Sequence, residues 1–313
     1  MKRRKFLETA VKGSAVALAM CVARLPAADL KKFKLGVISD EITNDFEAAL
    51  LWIKEFGLEW VELRQVMGKY VTDIDADTVK RAQDLLAKHS MKVSVLDTAY
   101  FKIVLPGTGD PALREGKSDS LNYDQQKALL ERSIARAKDF GTDKIRIFAF
   151  WRTHDPKAVF DRVARELENT AAIAKQENVR LVLENETACN VATGAESLAM
   201  MNAVKSPAFG LNWDSGNAFA AGEHAPYPDG YAPLDQKRIW HCHLKDAHLE
   251  NGRSVWRPIG SGAIDFVGQF KALLADGYNE TLSLETHYSN AAHNKEQSSR
   301  ESMTGLLEAI RKA

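Results

Sequence analysis

Cysteine and proline are scarce in this chain, and no long apolar run appears in its body. Only 3 of the 313 residues are cysteine and 9 are proline, so a disulfide framework is not expected. No internal stretch reaches the roughly 18 consecutive apolar residues that a membrane-spanning helix needs. Basic and acidic residues balance at 42 each. The chain therefore has no charge excess of the kind that general nucleic-acid binding requires.

The N-terminus departs from this ordinary composition. Residues 1–28 carry six basic residues and one acidic residue, a short and weakly apolar stretch, and then Pro26-Ala27-Ala28. This order is typical of an export signal, and Arg3-Arg4-x-Phe6-Leu7 resembles the bacterial twin-arginine pattern. The alternative is a basic amphipathic first helix. We predict an export signal over 1–28, a single domain over 29–313 and a periplasmic location.

Removal of the predicted signal changes the charge of what remains. The domain would carry five more acidic than basic residues, which makes a nucleic-acid partner less probable still. Met20 before Cys21 fits a lipoprotein signal poorly, so we expect no stable membrane anchor after processing. The sequence leaves a homo-oligomer open.

Short β-rich runs alternate with longer amphipathic stretches from about residue 33 onward. This alternation predicts parallel strands joined by helices, and eight runs fit a (β/α)8 TIM barrel of about 250 residues. The predicted strands are 33–38, 59–63, 91–97, 144–149, 179–184, 208–213, 239–244 and 281–285. The predicted helices are 45–56, 76–89, 123–140, 155–177 and 297–312. Two long connections, 98–122 and 218–234, are expected to shape a substrate pocket.

Four of the predicted strands end in side chains that can bind a metal ion. These side chains are Glu184, Asp214, His243 and Glu285. Because the C-terminal ends of barrel strands meet at one rim, we expect the four to converge there. Three oxygen donors and one nitrogen donor suit a hard or borderline divalent cation. The alternative for any single acid among them is a helix cap or a salt bridge in a loop.

Strand parity supports this prediction. Side chains two residues apart share a face of a strand, so His241 and His243 point the same way and Cys242 points the other way. If His243 faces the barrel interior, Cys242 packs against the outer helices. Glu285 and His287 also share a face.

The ordered set of motifs resembles the xylose isomerase-like barrels. The motifs are Leu183-Glu184-Asn185, Asp214-x-Gly216-Asn217, His243-Leu244-Lys245-Asp246, Gly260-x-Gly262 and Leu284-Glu285-x-His287. The family includes sugar isomerases and epimerases and the barrel of endonuclease IV, and the resemblance extends from about residue 33 to 312. It implies that Glu184, Asp214, His243 and Glu285 hold one Mn²⁺, Mg²⁺, Co²⁺ or Zn²⁺ ion.

The resemblance also implies a reaction. In ketose epimerases the carboxylates matching Glu184 and Glu285 move a proton beside a substrate carbonyl, while the metal stabilises the enediolate. We expect an unphosphorylated sugar or sugar derivative as substrate, since no glycine-rich phosphate cradle is evident. The alternatives are a lyase or hydratase of 3-keto-glycosides and a non-catalytic sugar-binding barrel. A repair nuclease is disfavoured, because it would need more metal ligands and a basic groove.

Five further residues are candidates for substrate binding: Asn217, Arg257, His287, Lys245 and Trp151. Asn217 stands where related epimerases often carry histidine, and an amide cannot transfer a proton near neutral pH. This departure leaves the substrate preference and the reaction open. His287 could compensate for it or be a structural histidine. Arg257 could instead be a surface charge and Trp151 a core residue.

Two other pairs carry weaker expectations. Lys245 and the neighbouring Asp246 follow His243 and could orient substrate or support the ligands. Glu62 and Arg64 end the second predicted strand and are expected to pair simply with each other.

Overall fold

The computed structural model describes residues 32–112 and 122–313. The predicted export signal over 1–28 and its boundary with the domain lie outside the described residues, as does part of the predicted 98–122 connection. Among the helices of the described residues, none combines the length and the apolar character needed to cross a bilayer.

Eight parallel strands form a nearly closed barrel, which confirms the predicted (β/α)8 fold. Neighbouring strands hydrogen-bond in the order β1-β8-β7-β6-β5-β4-β3-β2. A parallel bridge between Ile38 and Glu62 links the two outermost strands of this order. The strands are β1 Lys34–Val37, β2 Trp60–Leu63, β3 Lys92–Tyr100, β4 Lys144–Ile147, β5 Arg180–Glu184, β6 Phe209–Asp214, β7 Ile239–Leu244 and β8 Thr281–Leu284.

Helices follow the strands and pack around the barrel. They are α1 Phe46–Glu55, α2 Ala76–His89, α3 Gln126–Phe140, α4 Pro156–Gln176, α5 Gly194–Ala203, α6 Ser215–Ala220, α7 Phe266–Ala275 and α8 Lys295–Lys312. The five predicted helices correspond to α1, α2, α3, α4 and α8. The prediction missed α5, α6 and α7, and also a single turn of helix over Ser39–Ile42. Shortness explains the omission of α6, which gives little periodic signal, but α5 and α7 have 10 residues each, as many as the predicted α1. Capping still marks one of them, because Thr193 and Glu196 form a capping box at the start of α5.

Two hairpins that were not predicted extend the rim of the barrel. Gln65–Val66 pairs with Lys69–Tyr70 just after β2. Asp246–Glu250 pairs with Arg253–Arg257 just after β7. Both follow the C-terminal ends of strands, where the predicted ligands also lie.

The two faces of the strands differ sharply in polarity. Outward-facing residues such as Leu183, Trp213 and Cys242 belong to the main apolar cluster between barrel and helices, which confirms the predicted orientation of Cys242. The inward-facing positions instead carry buried polar and charged groups: Glu62, Asp97, Arg146, Glu184, Asn212, Asp214, His241, His243 and Ser283. Buried charges are costly unless they are paired or bind a cation. The interior therefore has to be organised by ion pairs.

Candidate metal centre

The structure brings the four predicted ligands together at the C-terminal rim. Glu184 and Asp214 are the last residues of β5 and β6, and Glu285 directly follows β8. His243 lies opposite Asp214 in the pairing of β6 with β7. One ligand atom from each of the four lies within 4.8 Å of the others. The predicted convergence is thus present in the fold.

The imidazole of His243 is the centre of this cluster. Its Nδ1 lies 3.3 Å from Glu184 Oε1, 3.4 Å from Glu285 Oε2 and 3.9 Å from Asp214 Oδ2. All four side chains are buried; the most accessible, Glu285, is only 4% exposed. Three carboxylates crowded around one nitrogen repel each other unless positive charge lies between them.

The donor set fits a divalent cation. Asp214 Oδ1 accepts a hydrogen bond of 2.8 Å from the backbone N–H of Asn217 and so caps α6. Asp214 Oδ2 is buried and accepts no well-aligned hydrogen bond from the described residues, although the ammonium of Lys245 lies 2.7 Å away. A buried carboxylate oxygen aimed at two other carboxylates and an imidazole is what a metal site with oxygen and nitrogen ligands presents.

Lys245 supplies positive charge beside the cluster. Its Nζ lies 2.7 Å from Asp214 Oδ2 and 4.0 Å from Glu184 Oε1, and it also contacts Glu285 Oε2. Burial alone would lower the pKa of Lys245, but the three acids outweigh it and raise that pKa well above its usual value. Gly216 lets Lys245 approach, because a Cβ on Gly216 would lie within 2.6 Å of the Lys245 carbonyl oxygen.

A buried ion pair below the rim was missed by the sequence analysis. Arg146, on β4, contacts both Asp97 and Glu184. Burial alone would raise the pKa of Glu184, but Arg146 and His243 lower it well below the usual value. Burial raises the pKa of Asp97 to about 7 despite Arg146. The sequence signal that could have revealed Arg146 is the alternation Lys144-Ile145-Arg146-Ile147, which places two charges on the inward face of the strand.

Glu62 and Arg64 do not pair with each other, so that expectation was wrong. The two residues are only two positions apart in the sequence, but each contacts a different set of side chains. Glu62 contacts His241 and His243 inside the barrel. Arg64 instead contacts Asp40 and Glu41, with Nη1 3.6 Å from Glu285 Oε1.

Asn217 and His287 adjoin the candidate ligands, and their roles in substrate binding stay predictions. Asn217 Nδ2 donates a 3.0 Å hydrogen bond to Glu184 Oε1. His287 Nε2 lies 3.4 Å from Glu285 Oε1, and about a third of its side chain is exposed. Burial lowers the pKa of His287, but the pull of Glu285 outweighs this and raises it overall. His287 is therefore an accessible titratable group beside a ligand.

Arg257 and Trp151 are held by other neighbours. The guanidinium of Arg257 contacts His248 and Glu250 on the facing strand of its hairpin. Trp151 packs with Phe148, Ala188 and Cys189 in a small buried cluster. The structure thus does not place either side chain against the four ligands, and their roles in substrate binding stay predictions.

Asp246 and Asn185 stabilise the surroundings of the site. The carboxylate of Asp246 accepts hydrogen bonds from four backbone N–H groups, those of Ala247, Gly260, Gly262 and Ile264. This fixes the loop that carries the Gly260-x-Gly262 motif, so Asp246 acts on backbone rather than on the ligands. Asn185 bonds both the N–H and the carbonyl oxygen of Asp214, at 2.8 and 2.7 Å. Asn185 thereby fixes the position of Asp214 relative to Glu184.

A model of the xylose isomerase-like TIM barrel family matches residues 50–309. The chain belongs to the xylose isomerase-like TIM barrel family. Its curated relatives include SgbU of Escherichia coli K12, to which L-ribulose-5-phosphate 3-epimerase activity is ascribed. The two are 23% identical over 268 residues, which covers 82% of this chain and 89% of SgbU.

Solved structures of this family superpose on the chain. The IolI protein with a bound zinc atom has a TM-score of 0.68 at 18% identity, covering 90% of this chain and 99% of IolI. AsbF of Bacillus anthracis, described as a probable 3-DHS dehydratase, has a TM-score of 0.65 at 17% identity, covering 85% of this chain and 98% of AsbF. At these identities the likeness shows the fold.

Proposed function

We propose that this xylose isomerase-like barrel is a divalent-metal-dependent isomerase or epimerase of an unphosphorylated sugar or sugar derivative. The observation that carries the proposal is the convergence of Glu184, Asp214, His243 and Glu285 at the barrel rim, with one ligand atom of each within 4.8 Å of the others. The epimerase activity ascribed to SgbU supports the reaction class, although its named substrate is a sugar phosphate, and the zinc atom bound by IolI supports the metal.

The four side chains would hold a divalent cation, which supplies positive charge to stabilise an oxyanion that forms on the substrate. The protein's own part is proton transfer. A carboxylate takes the proton from the carbon beside the carbonyl, and the electron pair of that C–H bond moves towards the carbonyl oxygen. Return of a proton to the opposite face of the same carbon gives the epimer. Return to the former carbonyl carbon gives the isomer, provided that the proton of the adjacent hydroxyl passes to the former carbonyl oxygen, so that the carbonyl forms on the neighbouring carbon.

Glu285 is slightly more accessible than Glu184, at 4% against 1% exposed, but cations contact both carboxylates. Glu285 Oε1 lies 3.4 Å from the partly exposed His287 and 3.6 Å from Arg64 Nη1, and Glu285 Oε2 contacts Lys245. Both oxygens of Glu184 are engaged, Oε1 by Asn217 and Oε2 by Arg146. Glu184 could act as the second acid or base only by giving up one of these contacts.

The pairing of Glu285 with His287 favours elimination as the second candidate function. A lyase or hydratase acting on a keto-glycoside needs one carboxylate to remove the proton beside the carbonyl, while the electron pair expels the leaving oxygen from the next carbon. Glu285 would be that base once it gives up its contact with Lys245 or Arg64, and His287 beside it would protonate the departing group. The dehydratase AsbF has the same fold.

The loop after the second hairpin supports an unphosphorylated substrate. Glycine-rich loops bind phosphate through free backbone N–H groups. In this chain the N–H groups of Gly260 and Gly262 both donate to Asp246 Oδ2, at 2.9 and 3.0 Å. A phosphate at this loop would have to displace a buried carboxylate. Export to the periplasm stays a prediction.

The test combines metal analysis with a panel of keto-sugars and keto-glycosides incubated in deuterated water. NMR should show one exchanged C–H for epimerisation, and a released aglycone or water for elimination. His243→Ala should lose bound metal and turnover together, whereas His154→Ala, a change at an exposed loop histidine, should keep both. Metal and turnover that survive in His243→Ala would contradict the ligand set, and a wild type that binds no metal would contradict the proposal.

A further inference from the structure

Behind the four ligands lies a row of buried side chains that the proposed reaction does not use. Glu62, His241 and Thr281 come from three different strands, β2, β7 and β8. Glu62 and His241 are fully buried, and Thr281 is 2% exposed. A carboxylate and an imidazole without access to water are retained at a cost, so their contacts indicate what they do.

The row ends on the metal-ligand histidine. His243 Nε2 lies 3.0 Å from Glu62 Oε1, while its Nδ1 faces the three ligand carboxylates. Each oxygen of Glu62 faces one imidazole nitrogen, Oε1 that of His243 at 3.0 Å and Oε2 that of His241 at 2.8 Å, so the carboxylate is placed to accept from both rings. Nε2 of His243 therefore donates its proton to Glu62. In the neutral ring this leaves the lone pair on Nδ1, the atom that faces the cluster.

His241 fixes the carboxylate of Glu62 in turn. His241 Nε2 lies 2.8 Å from Glu62 Oε2, so each oxygen of Glu62 receives one imidazole. The opposite nitrogen, Nδ1, lies 2.8 Å from Thr281 Oγ1, whose hydroxyl can donate to it. The two rings meet edge to face, with centroids 5.2 Å apart at 83°. Every polar atom along the row thus has one partner, which leaves one arrangement of the ring protons.

We propose that Glu62, held by His241 and Thr281, is a positioning residue that selects the metal-binding tautomer of His243 and fixes the direction of its Nδ1. The inference rests on the proposed function in one respect, namely that the four-residue cluster binds a divalent cation. Carboxylates that orient a ligand histidine typically contribute about 10- to 100-fold to metal affinity. Glu62 thus acts through His243 and makes no contact with substrate.

The test is the metal affinity of Glu62→Gln in the full chain. Glutamine keeps the size of the side chain, but its amide offers one acceptor and one donor group instead of two acceptors, so one of the two imidazoles must change its tautomer or lose its partner. Competition with a chelator for Co²⁺ should show about 10- to 100-fold weaker binding. The visible absorption bands of bound Co²⁺ should also shift, because the direction of Nδ1 changes.

The matched control is Glu223→Gln, the same change at a partly buried acid away from the ligands. Glu223 accepts from the backbone N–H of Gly194 at 2.8 Å, which a glutamine oxygen can also do. Its Co²⁺ affinity and absorption bands should match the wild type.

Three outcomes separate the possibilities. Wild-type affinity and unchanged bands in a folded Glu62→Gln protein would overturn the positioning role while leaving the proposed function intact. A wild type that binds no Co²⁺ would instead refute the metal site on which both depend. If Glu62→Gln does not fold, Thr281→Val takes its place: it removes the last partner in the row, and it should weaken Co²⁺ binding less than the loss of Glu62 would. No change in Thr281→Val would then contradict the inference.

Discussion

Replacement of Arg146 by methionine should destabilise the barrel more than any single change at its surface. Arg146 is 5% exposed, and its two partners, Asp97 and Glu184, are 0% and 1% exposed. Methionine fills most of the space of the arginine stem, so the cavity term is small. What remains is the loss of the only cation in contact with Asp97 among the ion pairs of the described residues.

Removing one partner of a buried ion pair typically costs about 3 to 5 kcal/mol in the free energy of unfolding. We expect Arg146→Met to lie in this range at high pH. The pKa of Asp97 is already raised to about 7 in the wild type, and loss of Arg146 should raise it further. The cost should therefore shrink as the pH falls from the raised pKa of the variant towards 7, because over that window Asp97 is neutral in the folded variant and charged in the folded wild type. Below pH 7 Asp97 is protonated in both folded proteins, so the cost stays at its lower value.

The measurement is urea denaturation of the metal-free protein at pH 6 and pH 8. Arg132→Met is the control, since Arg132 forms a largely exposed pair with Asp73, and such pairs contribute at most about 1 kcal/mol. Arg146→Met combined with Asp97→Asn should recover part of the loss. Equal denaturation midpoints for the two single variants, with equal slopes, would refute the reasoning.

Two further predictions concern the base of the barrel and the glycine beside Lys245. Arg180 and Lys144 outweigh burial and lower the pKa values of Asp143 and Glu280 in the folded protein. These two acids therefore stabilise the fold above their unfolded pKa of about 4. The stabilisation is lost as the pH falls through the lowered values. Arg180→Met should therefore lose less stability than the wild type between pH 7 and pH 3 in thermal melts, and an equal loss would contradict this. Gly216→Ala should push Lys245 away from Asp214 and Glu285. The main effect should be a loss of turnover, with a smaller effect on the melting temperature. Unchanged turnover would show that the contact of Lys245 with the two acids does not matter.

The barrel could be predicted from the sequence because its signals are local. Each strand is a short apolar run, and each long helix repeats its apolar residues at helical spacing, as α4 does with Val159, Val163 and Leu167. The shortest elements were missed because a local pattern needs several turns or residues to become visible. The six residues of α6 span less than two turns, and the helix begins at Asp214, whose carboxylate is also a predicted ligand.

The convergence of the four candidate ligands could also be predicted, since their place at strand ends follows from strand parity and from parallel topology. The ion pairs formed by the side chains around them could not be predicted. Arg64 and Glu62 are adjacent on one face in the sequence, but Arg64 turns to Asp40 and Glu41 at the rim and Glu62 turns to the histidines inside. Which acid meets which cation depends on the strand across the barrel, which local pattern does not specify.

The sequence by itself determined the alternation of strands and helices, the single barrel and the four candidate ligand residues that converge, because periodicity and strand ends depend on neighbours within a few residues. Only the tertiary structure decided how the interior charges are shared. Contacts such as Arg146 with Asp97 and Glu184, or Glu62 with His241 and His243, join residues that are up to 181 positions apart. Closure of the barrel brings those residues together, and burial then makes each unpaired charge too costly to keep.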